Sequence, residues 1–272
     1  MNFDKKNVRF VGCVTALLFF SISCAGRIPL PEGAATADAS ELRERLILAK
    51  VPIHSLSADA RLTYFGNEGR AKLSATVILQ RSDHFRYDVM GPHGGTVSAF
   101  ATNGLELTAL DVGTSRFMYG RATAAAIDRL LPVAPLGLTP EGWVSLLLGE
   151  ILPPPEATLS YDDRLGLFCA TYDGVGHETG NDAGYERRLY VDPKNFRVKN
   201  IEEWSKGKRV THVEFLDRDR LGIPTKLYMK VIDANMELEI RLEDIDVDPE
   251  LSQALFVLTP PAGVTPEYIG VP

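Results

Sequence analysis

A chain of 272 residues, 45% hydrophobic and 24% charged, is long enough to bury one substantial core. Its formal charge of -7 argues against a nucleic-acid binder, whose surface has to neutralise phosphates. Three cysteines without metal-ligand or redox spacing exclude a disulfide framework, a zinc site and a thiol pair.

In chain order, the first predicted element is a leader. Lys5, Lys6 and Arg9 make a positive n-region, and Phe10 to Phe20 an apolar stretch too short to span a bilayer. Ser21, Ile22 and Ser23 then precede Cys24. This resembles a bacterial lipobox, with Ser21 where leucine is usual, and implies cleavage before Cys24 and acylation of its thiol. An ordinary secretory signal is the competing reading. It leaves Cys24 without a role, because Cys13 goes with the leader and Cys169, alone in "GLFCATYD", reads as a small buried hydrophobe. Residues 1–23 are therefore expected to be a signal peptide. Residues 24–39, rich in Ala, Pro and Gly after the lipidated cysteine, read as a flexible tether, and 40–272 as a single domain. No second membrane segment is expected, so the anchor is lipid rather than a helix.

The spacing predicts a short helix in "SELRERLILAK", with Asp38 or Ser40 as N-cap and Leu42, Leu46, Ile47 and Leu48 on a broad apolar face. Period-two alternation then takes over. "SADARLTYF" alternates Ala60, Leu62 and Tyr64 with polar neighbours, and "AKLSATVILQ" does so with Leu73, Ala75, Val77 and Leu79. "HFRYDVM" sets Phe85, Tyr87 and Val89 on one face and His84, Arg86 and Asp88 on the other. Links as short as "GNEG" and "RSD" make consecutive strands antiparallel neighbours. "VSAFAT", "LELTALDV" and "RFMYGR" are further strands. Helices are predicted over 123–131 and 140–148, the second with Thr139 as cap, Pro140 first and Glu141 in its first turn.

Strand patterns resume at 157–162, 167–173, 185–191, 197–204, 209–217, 224–231 and 236–247, with turns at "DPKN" and "SKGK". In the last strand Met236, Leu238, Ile240 and Leu242 hold one parity, whereas Ile245 and Val247 hold the other. A β-bulge near Glu243–Asp244 reconciles them. The sum is a mainly β (α+β) fold. About ten or eleven antiparallel strands are expected to form a strongly curled, incomplete barrel, with a few helices covering a hydrophobic cavity.

Catalytic chemistry is hard to find. His54, His84, His93, His177 and His212 share no metal-ligand spacing, and no nucleophile elbow or phosphate-cradling glycine loop occurs. Asp173, His177, Glu178 and Asp182 crowd residues 172–186, which read as a long flexible hairpin rather than a metal or catalytic loop. "DIDVD" lacks the glycine and distal glutamate of a calcium loop. A non-enzyme without cofactor or metal is the expectation.

Residues 55–155 carry a further pattern: Arg86–Tyr87, Gly91–Pro92–x–Gly94, Leu131–Pro132, Trp143, Gly149 and Pro153–Pro155. In this order and spacing, behind a lipobox, it resembles the outer-membrane lipoprotein receptor LolB and its relatives. "DPELSQALFVLTPPAGV" is more similar to the ending of LolA, the soluble periplasmic carrier. The resemblance implies a half-barrel whose hydrophobic cavity holds lipoprotein acyl chains. It implies a monomer in the bacterial envelope, lipid-anchored to the outer membrane and facing the periplasm. Its partners would be acylated lipoproteins or lipids, a LolA-like carrier, and the membrane through its N-terminal lipid. An envelope module that binds or senses lipid or lipopeptide on the same fold is the alternative.

The cavity-lining residues under that resemblance are Leu62, Tyr64, Val77, Leu79, Phe85, Tyr87, Val89, Leu227, Met229, Leu238 and Ile240, with Trp143 and Leu147 from a covering helix. About half of them are expected to be ordinary core, since only part of a curled sheet's inner face can line a cavity. Gly91, Pro92, His93, Gly94 and Gly95 would form a protruding loop that helps cargo enter the membrane. His93 stands where the receptor has a bulky aliphatic side chain, so that insertion role is expected to be weakened or pH-dependent.

Overall fold

The structure, a computed structural model, describes residues 27–67, 69–91, 93–131, 136–174 and 185–270. Cys24 and the leader lie outside the described residues, as do Pro92, Pro132 and most of the 172–186 loop.

Asp38 opens helix α1 (Ala39–Leu48), its carboxylate accepting from the Glu41 amide at 2.9 Å and relieving an amide the first turn cannot satisfy. Alternating residues then build β1 (Ser55–Gly66), β2 (Gly69–Gln80), β3 (His84–Met90), β4 (Thr96–Asn103), β5 (Glu106–Asp111) and β6 (Arg116–Arg121), each pairing antiparallel with the next. Helices α2 (Ala124–Leu130) and α3 (Pro140–Leu147) follow, α3 capped by the Thr139 hydroxyl. A second meander runs through β7 (Thr158–Asp162), β8 (Leu167–Asp173), β9 (Tyr185–Asp192), β10 (Arg197–Ser205), β11 (Lys208–Arg218), β12 (Pro224–Val231) and β13 (Met236–Val247). β13 returns to pair with β1, so the two meanders fuse into one curled, unclosed sheet.

Among the described residues this sheet has fourteen strands, more than the expected ten or eleven. The additional edge strand β14 (Pro266–Tyr268) lies parallel to β6. Its three residues have no alternation to read; only the partner strand makes them a strand. The bulge in β13 stands where the parity switch places it. Ser57 faces Asp246 and Asp59 faces Glu243, leaving Ala58 opposite two residues, one of them Asp244 with φ 48°.

The tether expected over 24–39 is not free in its described part. The Ile28 amide donates to the Asp163 carbonyl at 2.7 Å, and the Tyr161 hydroxyl donates to the carbonyls of Ile28 and Pro29. Arg45 donates to the Gly33 and Ala35 carbonyls, and Ala34 is buried. Small residues lay a chain flat against a surface as readily as they free it.

Residues after β13 strap the outer face. Phe256 is fully buried there, edge-on to His84, while Arg86 donates to the Leu255 carbonyl and the Leu258 amide to Thr108. Further round the same face, Glu202 is a buried carboxylate. It accepts from Trp204 Nε1 at 3.0 Å, from Arg209 Nη1 at 2.6 Å and from the Tyr190 hydroxyl, with His212 3.5 Å away. Burial alone would raise its pKa, but the contacts with His212, Arg209 and Trp204 outweigh it and bring the carboxyl down to about 2.

A depressed carboxylate stabilises the fold above its unfolded pKa and loses that contribution as pH falls through the folded value. Between pH 4.5 and about 2, Glu202 is therefore expected to withdraw its stabilisation, on the order of 2 kcal/mol. Urea unfolding of Glu202→Gln should show a shallower loss over that window; a slope equal to the wild type's would refute the assignment.

Candidate functional site

Register aligns the concave face into rows. One runs Leu73–Leu62–Ile240–Leu227–Phe215 and the next Leu238–Met229–Val213–Ile201–Leu189–Ala170, both apolar throughout. On the first meander, Val77, Tyr87, Phe100 and Ala109 form the corresponding row. Period two puts every second side chain of each strand into this concavity, and curling brings the rows to face one another.

Helices fill it. Trp143 of α3 stacks on Phe85 (centroids 6.2 Å apart, planes 9° apart), and Phe85 also meets Tyr87 and Phe100 at 5.9 and 5.5 Å. Burial pushes the Tyr87 hydroxyl well above its ordinary pKa. The Trp143 indole N–H is buried without a hydrogen-bond partner among the described residues, a donor that an acceptor on a ligand would satisfy. Leu42 and Leu46 of α1 join the same core.

Of the predicted lining residues, Val77, Leu79, Phe85, Val89, Trp143, Leu147, Leu227, Met229 and Ile240 are buried in this one cluster, and Leu62, Tyr87 and Leu238 pack half-buried against it. Tyr64 does not join them: its ring folds along its own strand over Gly66. Among the described residues, the gap left between Leu138, Leu146 and Ile151 and the sheet residues Arg187, Glu203 and Thr211 is about 10 Å³, room for about one water. A larger space of about 410 Å³ is an open polar groove lined by Asp162, Arg164, Cys169 and Arg188, unsuited to an acyl chain. The helices cover one end of the sheet. At the other end Leu62 and Leu238 are half-buried and Leu73 is 39% exposed, leaving an apolar margin open.

One polar clamp fastens the cover. Arg81, in the β2–β3 turn, donates to the carbonyls of Ile53 (2.6 Å) and Val51 (3.0 Å), which follow α1. It also forms an ion pair at 2.8 Å with the buried carboxylate of Glu150, just past α3, which in turn accepts from the Val51 amide. Gly149, at φ 64°, ends α3 in the left-handed turn that carries Glu150 there.

A second polar set lies inside. The row Met236–Val231–Thr211–Glu203–Arg187–Tyr172 turns from apolar to buried polar. Arg187 pairs with Glu203 and donates to the Leu136 carbonyl at 3.0 Å. Burial opposes the Arg187 charge, but Glu203 and Tyr172 beside it more than restore it and raise its pKa. Sequence reading missed both polar sets. The signal for the second was the doublets Arg187–Arg188 and Glu202–Glu203: in a strand, adjacent side chains face opposite ways, so one of each had to point inward.

The glycine loop closes on itself. The Gly91 amide donates to the Gly95 carbonyl (2.7 Å) and the Gly94 amide to that of Gly91 (3.0 Å), with Gly94 at φ 86°. His93 is exposed at its tip. The aliphatic side chains at this rim are Val97, bulged between β3 and β4 and 39% exposed, and Val112, 47% exposed, whose amide donates to the Val97 carbonyl. Among the described residues no group of acidic, histidine and cysteine side chains is placed to hold a metal, and no helix is long and apolar enough to cross a membrane.

A curled, unclosed antiparallel sheet with helices packed into an apolar concavity defines the LolA/LolB-type half-barrel class. No family model and no curated protein matches this sequence. Among solved structures, a LolA superfamily protein from Nitrosomonas europaea is similar over 82% of this chain and 99% of its own, with TM-score 0.55 and 14% identity. A DUF1329 family protein from Desulfovibrio piger aligns over 81% and 98% (TM-score 0.56, 12% identity). A domain named for outer membrane lipoprotein sorting, from Vibrio parahaemolyticus, aligns over 79% and 94% (TM-score 0.53, 10% identity). At these identities the likeness establishes the fold, and the chain has that fold.

Proposed function

We propose that this protein is a lipid-anchored envelope lipoprotein, held at the outer membrane through Cys24 and facing the periplasm, that takes up acyl chains of lipoproteins and helps insert them in that membrane. The apolar concave face under its clamped helices carries this reading: the helices occupy the space an acyl chain would take. Uptake then means displacing side-chain packing on the sheet, without covalent chemistry. Each methylene moved from water to such a face contributes about 0.8 kcal/mol, so a long chain can compensate for lost helix contacts. Fold likeness to a lipoprotein-sorting domain supports the same reading.

A second reading, an envelope lipid- or lipopeptide-binding module without a sorting role, is favoured by the compact glycine loop with histidine at its tip, a poor membrane wedge. Native mass spectrometry of the purified protein tests what the readings share: co-purified acyl species are expected, and a protein that stays empty after exposure to triacylated lipopeptide sinks both. Depletion in cells separates them. Lipoproteins stranded in the periplasm or inner membrane support the sorting role, and normal sorting removes it.

A further inference from the structure

We infer that the Arg187–Glu203 pair is a recognition site for the carbonyl of an acyl ester or amide, set at the polar end of the concave face. The inference rests on the acyl-binding reading above and goes further, by assigning the polar group of the ligand and excluding others.

A buried ion pair is a weak source of stability, since desolvating two charges offsets most of their attraction. Here the pair interrupts a wall otherwise built of apolar rows, with the charged residues 9% and 5% exposed. A small void on the concave face lies against it, between Leu138, Leu146 and Ile151 on one side and Arg187, Glu203 and Thr211 on the other. An acyl tail lying along β11, over Phe215 and Val213, would bring its head to Thr211, whose row holds Glu203 and Arg187.

Charge decides what that head is. Glu203 already neutralises Arg187, so a fatty-acid carboxylate or a phosphate would meet the Glu203 charge as well as the guanidinium. A neutral acceptor meets no such opposition. Arg187 now donates to a neutral acceptor, the Leu136 carbonyl, at 3.0 Å, with the Tyr172 hydroxyl beside it. An ester or amide carbonyl has the same chemistry and takes its place when the Leu136–Leu138 segment moves aside. Glu203 orients the guanidinium through Nε at 3.1 Å and through Nη2, and so acts as a positioning residue.

The test is displacement of the neutral apolar dye N-phenyl-1-naphthylamine from the full-length protein by methyl laurate, N-methyl lauramide, laurate and dodecane. The ester and amide are expected to bind about tenfold more tightly than laurate, the scale of one hydrogen bond to a charged donor. In Arg187→Met/Glu203→Leu, which removes both charges and so leaves none unpaired, the ester should fall to the affinity of dodecane while dodecane is unchanged. Glu203→Gln should raise laurate binding. Triacylated cysteinyl peptide and dilauroyl phosphatidylglycerol then distinguish the natural sources: whichever displaces the dye should lose about tenfold in the double variant. An ester preference that survives in the double variant, or laurate binding as well as methyl laurate to the wild type, overturns the inference while leaving acyl binding intact. A wild type that takes up neither dye nor dodecane overturns both.

Discussion

Arg81→Met is expected to lower unfolding stability by about 3 kcal/mol and, against the usual trend for a destabilised protein, to raise affinity for an apolar dye. The cost arises because Glu150 is left buried without its cation, and because the Val51 and Ile53 carbonyls lose their donor. The gain in binding has the same origin. The clamp stabilises only the closed arrangement, in which segments after α1 and α3 are tied to the β2–β3 turn. Each ~1.4 kcal/mol removed from that state raises the open population tenfold. Arg81→Met/Glu150→Leu should recover much of the stability while keeping the higher affinity, since it leaves no unpaired charge. Urea unfolding and dye titration of the two variants check this. Dye affinity that falls together with stability in Arg81→Met would show that the helices are part of the binding surface rather than a cover.

Phe85→Ala is expected to cost about 4 kcal/mol, the upper part of the range for a large buried side chain. Phe85 is 4% exposed and touches three other rings, those of Tyr87, Phe100 and Trp143, joining sheet to cover. Its removal leaves a hole between β3 and α3 that neither can collapse into, because β3 is held by β2 and β4 on both sides. A dry, ring-lined hole takes small apolar molecules, so benzene should restore part of the lost stability. A cost below about 1.5 kcal/mol, or no rescue by benzene, would mean that α3 readily repacks over the sheet.

Much of the architecture was legible in the residues because one face of each strand had to be buried. Alternation in "HFRYDVM" named Phe85, Tyr87 and Val89 as inward, and all three pack in or against the core. The parity switch after Leu242 foretold the bulge that Asp244 supplies. Thr139–Pro140 marked the start of α3 through local cap chemistry.

What a strand pattern cannot state is which strands become neighbours across long stretches of chain. Pairing of β1 with β13 and the docking of β14 on β6 were invisible for that reason. The partners of Arg81, Glu150, Arg187 and Glu203 lie far off in the chain, and only curling turns these charges toward the helices or one another. The apolar rows were likewise predictable as surfaces, but not whether they enclose an open cavity.

By itself, then, the sequence determined most of the apolar side chains that face inward from β1 to β13, where those strands and the helices lie, and that one face of the sheet is apolar, because each of these follows from local periodicity and caps. Only the tertiary structure decided that helices fill that concavity, that Tyr64 folds away from it, and that two polar sets sit inside its cover. Those outcomes depend on distances between segments far apart in the chain, where packing and paired charge, rather than propensity, select the arrangement.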